Sequence, residues 1–244
     1  MNELPTHMTT NQTPTTTVPT TNDSDYHAVL FDMDGVVLKG RGTDPRVHSR
    51  ALEDAITELD LDVDPSAEPL AALDTYEYTD EFVTACDGLD IDAAAFYARR
   101  EKHSARRSID RIRSGTRELY DDVAVLDRLA AERNLALVSN NYDPTVAAVV
   151  DHFELEAFSF VSGRDLGVDG YLRRKPDPYY LERALCGLDA VDGIYVGDRE
   201  TDLVAAKRAG LLPVLVRRPH NTDLEPDHDS FVEIDSLDEL PNLL

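Results

Sequence analysis

The sequence has few basic residues and only four lysines. Across 244 residues, 24 Lys and Arg stand against 48 Asp and Glu, and the formal net charge is −24. This charge repels the phosphates of nucleic acids and of anionic lipids, so we expect no nucleic-acid partner and no membrane partner. The acidic excess favours a halophilic protein of a very salty cytoplasm, where screening limits self-repulsion. An ordinary acidic protein is the alternative.

Cysteine and long apolar runs are also scarce. Cys86 and Cys186 are too few for a disulfide framework, and neither lies in a Cys/His cluster, which argues against thiol catalysis. We expect both to be small, mostly buried side chains. No apolar run approaches the roughly 18 residues that span a bilayer, and the N-terminus lacks a charged-then-apolar signal pattern. A cytoplasmic location is therefore expected.

Short apolar segments alternate with helical patterns along most of the chain. Residues 1–25 are rich in Thr and Pro and are predicted to be disordered. Beyond them, the alternation predicts an α/β fold with a Rossmann-like, mostly parallel sheet. The predicted strands are 28–31, 135–138, 158–161, 194–196, 214–216 and 231–234, and the predicted helices of this part include 119–133, one opening at Pro144, 178–188 and 200–209.

The stretch between the first two strands lacks strand signals. Helical spacing at 45–59 and plausible helices near 68–74, 79–86 and 91–112 indicate an α-helical insert over residues 41–114. The core is then residues 26–40 and 115–244. Aromatic side chains of the insert are expected to pack its interior, namely Tyr76, Phe82, Phe96 and Tyr97.

Polar side chains follow the predicted strands of the core. The carboxyl ends of parallel strands share one edge of a sheet, where ligands bind, so residues far apart in sequence meet there. The sequence places these at successive strand ends: Asp32 and Asp34, then Ser139, then Lys175, then Asp198 and Asp202.

This set suits phosphoryl transfer. One carboxylate can attack phosphorus while a second handles the proton of the leaving group. Several carboxylates repel one another unless a hard cation lies among them, and Mg²⁺ fits. Separately, each motif has a structural alternative: a turn at Asp32–Gly35, a helix cap at Ser139, a solvated loop at Lys175, or a helix N-terminus at Asp198–Asp202.

In combination, these motifs resemble those of the haloacid dehalogenase-like hydrolase superfamily. The residues that carry the resemblance are Asp32–Val37, Ser139-Asn140, Lys175–Pro178, Gly197–Asp202 and Ala205–Gly210. The resemblance covers about residues 26–220. It implies a Rossmann-like core and makes the insert a helical cap.

The resemblance also implies roles. Asp32 is the nucleophile and a Mg²⁺ ligand, and Asp34 is the general acid/base with a metal-binding carbonyl. Ser139 and the Asn140 amide hold the phosphate, and Lys175 balances the charge. Asp198 and Asp202 belong to the metal site. Arg199 departs from the pattern, since many members have Ser or Thr there, and it leaves the local metal shell open.

The expected function is a Mg²⁺-dependent phosphatase of small phosphorylated metabolites, similar to the phosphoglycolate phosphatase and β-phosphoglucomutase branch. A phosphosugar mutase is the first alternative, and a non-catalytic binding protein is another. A 2-haloacid dehalogenase is less favoured, because relatives of that kind lack Asp34. The natural substrate and the oligomeric state stay open.

Residues 99–117 hold eight of the 24 basic residues. Some of them could face the site and bind an anionic substrate, but a solvated helix face paired with acids is favoured for most. The candidates are Arg99, Arg100, Lys102, His103, Arg106 and Arg107.

Overall fold

The computed structural model describes residues 26–40, 42–61, 68–227 and 230–244. The predicted disordered tail, residues 1–25, lies outside these described residues. Within the described ranges, no helix is both long enough and apolar enough to cross a membrane.

The described strands form one parallel sheet in the order β3-β2-β1-β4-β5-β6. Strand β1 lies in the middle, so the carboxyl ends of β2 and β4 flank the end of β1. The prediction of a Rossmann-like α/β sheet is confirmed. The strands are β1 Ala28–Phe31, β2 Asn134–Tyr142, β3 Phe160–Arg164, β4 Gly193–Gly197, β5 Leu212–Val216 and β6 Val232–Ile234.

Helices cover both faces of the sheet. Successive residues of β1 point to opposite faces. Phe31 packs in one apolar cluster with residues of two helices, α5 (Val125–Ala130) and α6 (Asp143–His152). Leu30 packs in another with residues of α8 (Tyr179–Gly187) and α9 (Glu200–Arg208). Two-sided burial explains why the core strands read as continuous apolar runs.

Four of the described helices between β1 and β2, the four that precede α5, share a third apolar cluster. Phe82, Phe96 and Tyr97 are buried there, and Tyr76 is half-buried against them, as expected for these aromatic residues. Asp92 caps the longest of the four by accepting a hydrogen bond of 2.7 Å from the backbone N–H of Ala95. The helices are α1 Pro45–Glu58, α2 Glu68–Leu73, α3 Asp80–Gly88 and α4 Ala93–Arg113.

Some local predictions were wrong. The helix predicted over 119–133 is shorter, because the Tyr120 N–H donates to Val37 and holds the chain extended before a 3₁₀ turn and α5. Strand β3 begins two residues later than predicted, at Phe160. A short helix, α7 (Val168–Leu172), was missed. Cys86 is buried, whereas Cys186 is exposed, so the expectation of burial failed for Cys186.

A buried ion pair joins α4 to the end of β3. Glu101 and Arg164 are 1% and 0% exposed. Arg164 Nη1 donates to Glu101 Oε2 at 3.2 Å, its Nη2 contacts Oε1, and the Gly167 N–H also donates to Oε2 at 2.6 Å. The guanidinium stacks over the ring of Tyr142, with 4.6 Å from its carbon to the ring centroid.

Removing one partner of this pair leaves the other charge buried and uncompensated. We expect Glu101→Gln to lower the free energy of unfolding by about 3–5 kcal/mol, measured by urea denaturation. The double variant Glu101→Leu/Arg164→Met, which removes both charges, should lose less than Glu101→Gln. An equal or larger loss in the double variant would show that the buried charge is not the source of the effect.

Candidate active site

The carboxyl end of β1 forms a tight turn that carries two aspartates. The Asp32 N–H donates to the Val196 carbonyl at 2.9 Å, which extends the pairing of β1 with β4 past its last residue. Gly35 then adopts φ +87°, a conformation that side chains disfavour. A Cβ at Gly35 would lie only 2.2 Å from Asp198 Oδ2. Gly35 is therefore required both by its conformation and by the close approach of Asp198.

Lys175 is buried between two of the predicted aspartates. Its Nζ lies 2.8 Å from Asp32 Oδ1 and 2.8 Å from Asp202 Oδ1, and it donates to the Tyr195 hydroxyl at 2.5 Å. Burial acts to lower the pKa of this ammonium, but the carboxylates of Asp202 and Asp32 outweigh burial and raise the pKa above its usual value. The alternative of a solvated loop charge is wrong, since only 3% of Lys175 is exposed.

The Asn140 side chain fixes the backbone of Lys175. Its Oδ1 accepts from the Lys175 N–H at 2.8 Å, and its Nδ2 donates to the Lys175 carbonyl at 3.1 Å. Ser139 is buried nearby and accepts from the Asn141 N–H at 3.1 Å. Helix α6 begins at Asp143 with no side-chain cap, so Ser139 and Asn140 do not cap it.

Asp198 and Asp202 bridge the end of β4 and the start of α9. Asp202 Oδ2 accepts from the N–H groups of Asp198 and Arg199 at 3.2 and 3.1 Å, which orders the first turn of the helix. Asp198 Oδ2 lies 2.6 Å from His220 Nε2. The helix-terminus alternative is therefore correct for Asp202, but the same carboxyl also reaches Lys175 and the other aspartates.

Asp32, Asp198 and Asp202 can supply oxygen atoms within 4.8 Å of one another. Asp198 Oδ1 is buried and accepts no hydrogen bond from the described residues. Burial, followed by the charges of Asp202 and Asp32, raises the pKa of Asp198 to about 8. A divalent cation would reduce the repulsion among the three carboxylates and would give Asp198 Oδ1 a partner. A hard cation fits this all-oxygen donor set.

The raised pKa of Asp198 predicts a pH-dependent effect of metal on stability. In the unfolded chain an Asp titrates near pH 4, so between about pH 4 and 8 the metal-free folded state binds more protons than the unfolded state. Its stability should therefore fall as the pH rises through that window. At about pH 8, Mg²⁺ at roughly 100 times its Kd should raise Tm by about 5–10 °C, and by less at pH 5.

Differential scanning calorimetry with and without Mg²⁺ measures this effect. Asp198→Asn serves as the matched variant, since it removes the titrating carboxyl while preserving the side-chain shape. We expect it to flatten the metal-free decline between pH 5 and 8. A Mg²⁺ effect on Tm that is equal at both pH values, or absent, would contradict this account of the cluster.

Two contacts to Asp34 were missed by sequence reasoning. Arg117 Nη2 donates to Asp34 Oδ1 at 2.8 Å, and Asn141 Nδ2 donates to Oδ2 at 3.0 Å. Arg117 also donates to the Lys39 carbonyl, so it joins the turn after β1 to the segment that follows α4. Arg117 lies at the end of the basic stretch 99–117. That concentration of basic residues was the one feature of the sequence that could have pointed to its contact with Asp34.

A cleft of about 410 Å³ opens over these residues. The insert contributes His48, Tyr76 and Glu77, and burial lowers the pKa of His48 to about 4, which keeps its imidazole neutral near pH 7. The core side consists of these described residues: Asp32, Asp34, Ser139, Asn140, Asn141, Tyr142, Arg174, Lys175, Pro176, Arg199, Thr201 and Asp202.

None of the six candidate basic residues on α4 is among the described residues that line this cleft. Arg107 forms a two-pronged contact with Asp54 at 2.6 and 2.7 Å. Arg100 is buried and donates to the Leu73 carbonyl at 2.6 Å. The remaining four lie on the surface of the insert, where Arg99 and His103 contact Glu58, while Lys102 and Arg106 are exposed.

A family model described as haloacid dehalogenase-like hydrolase matches residues 26–210. The chain is 35% identical over 85 residues to a phosphoglycolate phosphatase of Mesorhizobium japonicum, which covers 34% of this chain and 36% of that protein. It is 33% identical over 110 residues to a glyceraldehyde 3-phosphate phosphatase of Methanopyrus kandleri, covering 43% and 44%.

The matched segments thus span less than half of either curated relative. Among solved structures, the chain is similar to CbbY of Rhodobacter sphaeroides in complex with phosphate. The TM-score is 0.59 at 22% identity, and the match covers 88% of this chain and 96% of that one. At this identity, the likeness concerns the fold.

Proposed function

The chain belongs to the haloacid dehalogenase-like hydrolases, and from that premise we propose that it hydrolyses small phosphomonoesters through an aspartyl phosphate on Asp32. The observation that carries the proposal is the convergence of Asp32, Lys175 and Asp202, with 2.8 Å from Lys175 Nζ to each carboxylate. Names of the two curated relatives, both phosphatases of small phosphorylated metabolites, support the same class of reaction.

The proposed chemistry has two steps. An Asp32 carboxylate oxygen attacks phosphorus, the ester P–O bond breaks, and protonated Asp34 gives its proton to the leaving alkoxide. Water then attacks the phosphorus of the aspartyl phosphate and loses a proton to Asp34. Orthophosphate leaves, and Asp32 is again a carboxylate. Arg117 and Asn141 hold the Asp34 carboxyl from both oxygens, which places it for both proton transfers.

Mg²⁺ is the proposed cofactor, with Asp32, Asp198 and Asp202 and the Asp34 carbonyl as the residues that would hold it or its waters. When bound, it supplies positive charge beside the transferring phosphoryl group. The chain's own residues do the rest: Ser139, whose oxygen already accepts from the Asn141 N–H, still has an O–H to donate to a phosphate oxygen. Asn140 keeps the Lys175 segment in place.

We propose that residues 26–40 and 115–244 form the catalytic core and that residues 41–114 form a cap. His48, Tyr76 and Glu77 of the cap line the same cleft as the aspartates. Enclosure of this kind would limit the access of water to Asp32 until the leaving group has departed.

A panel of phosphomonoesters tests the function. Purified protein with Mg²⁺ should release inorganic phosphate from 4-nitrophenyl phosphate and from several small sugar and acid phosphates. EDTA should stop the release, and added Mg²⁺ should restore it. No release from any member would contradict the proposal, whereas an isomeric sugar phosphate formed without free phosphate would indicate the mutase alternative.

We also propose that the protein works in a cytoplasm of very high salt, on the basis of 48 acidic against 24 basic residues. Screening by molar salt shortens the range of carboxylate repulsion to about 3 Å. We expect Tm, measured by circular dichroism, to rise by several degrees between low salt and about 2 M KCl. Equal stability without salt would contradict this expectation.

A further inference from the structure

Arg199 occupies a position in the cleft that the proposed chemistry leaves unused. It is the residue before α9, its side chain is 45% exposed, and it lines the cleft. Its Nε lies 3.6 Å from Asp198 Oδ1. The far end of the side chain reaches Gly42, where a Cβ would lie 3.7 Å from Arg199 Nη2 and 3.9 Å from Asp34 Oδ2. The Arg199 side chain therefore extends from Asp198 towards Asp34.

The charges around the site explain why a cation is useful there. Lys175 is shared between Asp32 and Asp202, and Arg117 is paired with Asp34. With Asp34 protonated as the general acid, the other three aspartates of the site carry, when ionised, one more charge than these two cations neutralise. A phosphomonoester dianion adds two negative charges, and a divalent cation removes only two. A further positive group within the cleft lowers this residual repulsion.

Arg199 carries a fixed positive charge, because a guanidinium stays protonated in proteins. A guanidinium presents N–H donors in a planar fork that matches two phosphate oxygens. The Ser or Thr found at this position in many relatives offers a single hydroxyl and no charge.

We propose that Arg199 is a catalytic residue of this chain that binds the transferring phosphoryl group directly, opposite Lys175. The inference rests on the proposed phosphatase function for its catalytic meaning. The guanidinium donates to non-bridging phosphate oxygens before, during and after attack by Asp32, and it takes no proton and forms no covalent bond. The phosphoryl group is thus held by a fixed protein charge in addition to any bound metal.

Arg199→Ser is the sharpest variant, because Ser is a favoured residue at a helix start and leaves α9 capped. We expect it to weaken orthophosphate binding by about 10- to 100-fold in the presence of Mg²⁺, measured by isothermal titration calorimetry. Turnover of 4-nitrophenyl phosphate should fall by about 10²–10³ in kcat/KM. Arg199→Lys keeps the charge but loses the planar fork of N–H donors. Its orthophosphate affinity and its kcat/KM should therefore lie between those of the parent protein and those of Arg199→Ser.

Arg183→Ser is the matched control. Arg183 is also 45% exposed and lies near an aspartate, with 3.9 Å to Asp165, but it does not line the cleft. Its orthophosphate affinity should stay within about twofold of the parent protein. Mg²⁺ affinity without phosphate should be unweakened in Arg199→Ser, since a cation near Asp198 has been removed. Circular dichroism shows whether each variant is folded. If Arg199→Ser does not fold, the same binding measurement is made on Arg199→Lys.

Two results would overturn the inference: orthophosphate affinity in Arg199→Ser within threefold of the parent protein, or equal losses of Mg²⁺ and orthophosphate affinity, which would place the effect on the metal. The binding measurement needs no turnover. If the parent protein hydrolyses no phosphomonoester but Arg199→Ser loses orthophosphate binding, the phosphatase function fails while the Arg199 site stands. If turnover is normal in Arg199→Ser, only the Arg199 inference fails.

Discussion

Asp32→Asn is expected to lower kcat for phosphomonoesters by about 10⁴-fold or more. The asparagine side chain has nearly the same shape, so the turn after β1 and the packing against β4 should survive. Its amide oxygen is neutral and a poor nucleophile, so no aspartyl phosphate can form. The measurement is phosphate release under single-turnover conditions, together with trapping of the phosphorylated protein by rapid acid quench in the parent chain.

Asp192→Asn is the control for this experiment. Asp192 immediately precedes β4, at the opposite end of that strand from Asp198, and its Oδ1 accepts from the His27 N–H at 3.0 Å. We expect unchanged turnover there. Orthophosphate binding by Asp32→Asn should persist, since Ser139 is retained. Turnover within tenfold of the parent protein in Asp32→Asn would contradict the role of Asp32 as the nucleophile, whatever the stability of the variant.

The strands of the core were predictable because both faces of the sheet are covered. Val29 and Leu30 are each fully buried although they point to opposite faces, so the segment reads as a continuous apolar run. The turn at Gly35 was also predictable, because a Gly between acidic and apolar residues marks the end of a strand. A parallel sheet then places the ends of β1, β2 and β4 at one edge, which is why distant aspartates could be associated from sequence.

Contacts made by long side chains were not predictable. Arg117 meets Asp34 across 83 positions of sequence, and the geometry depends on where α4 ends relative to the sheet. His220 approaches Asp198 from the loop after β5, where no motif marks it. In the basic stretch 99–117, a helical repeat determines which residues share a face, but it does not indicate which face meets the cleft. Arg164 and Glu101 illustrate the same limit, since neither looks buried in the sequence.

Asp34→Asn is expected to have a leaving-group-dependent effect. An alkoxide is a poor leaving group unless it is protonated as the P–O bond breaks, so kcat for alkyl phosphates should fall by about 10²–10⁴-fold. The anion released from 4-nitrophenyl phosphate is stable without a proton, so the first step should be nearly normal with that substrate. A burst of 4-nitrophenol followed by slow turnover is then expected, because the water of the second step lacks its base.

Arg117→Gln provides the companion variant, since its amide nitrogen takes the place of Arg Nε and can keep the contact to the Lys39 carbonyl, whereas the charge and the donor to Asp34 Oδ1 are both lost. Stopped-flow comparison of alkyl and 4-nitrophenyl phosphates should show a smaller loss than in Asp34→Asn, with the same dependence on the leaving group. This pattern would identify Arg117 as a positioning residue for the proton donor. Equal losses of the first-step rate for both substrates in Asp34→Asn would instead place Asp34 in phosphate or metal binding, because in that step proton donation matters only where the leaving group requires the proton.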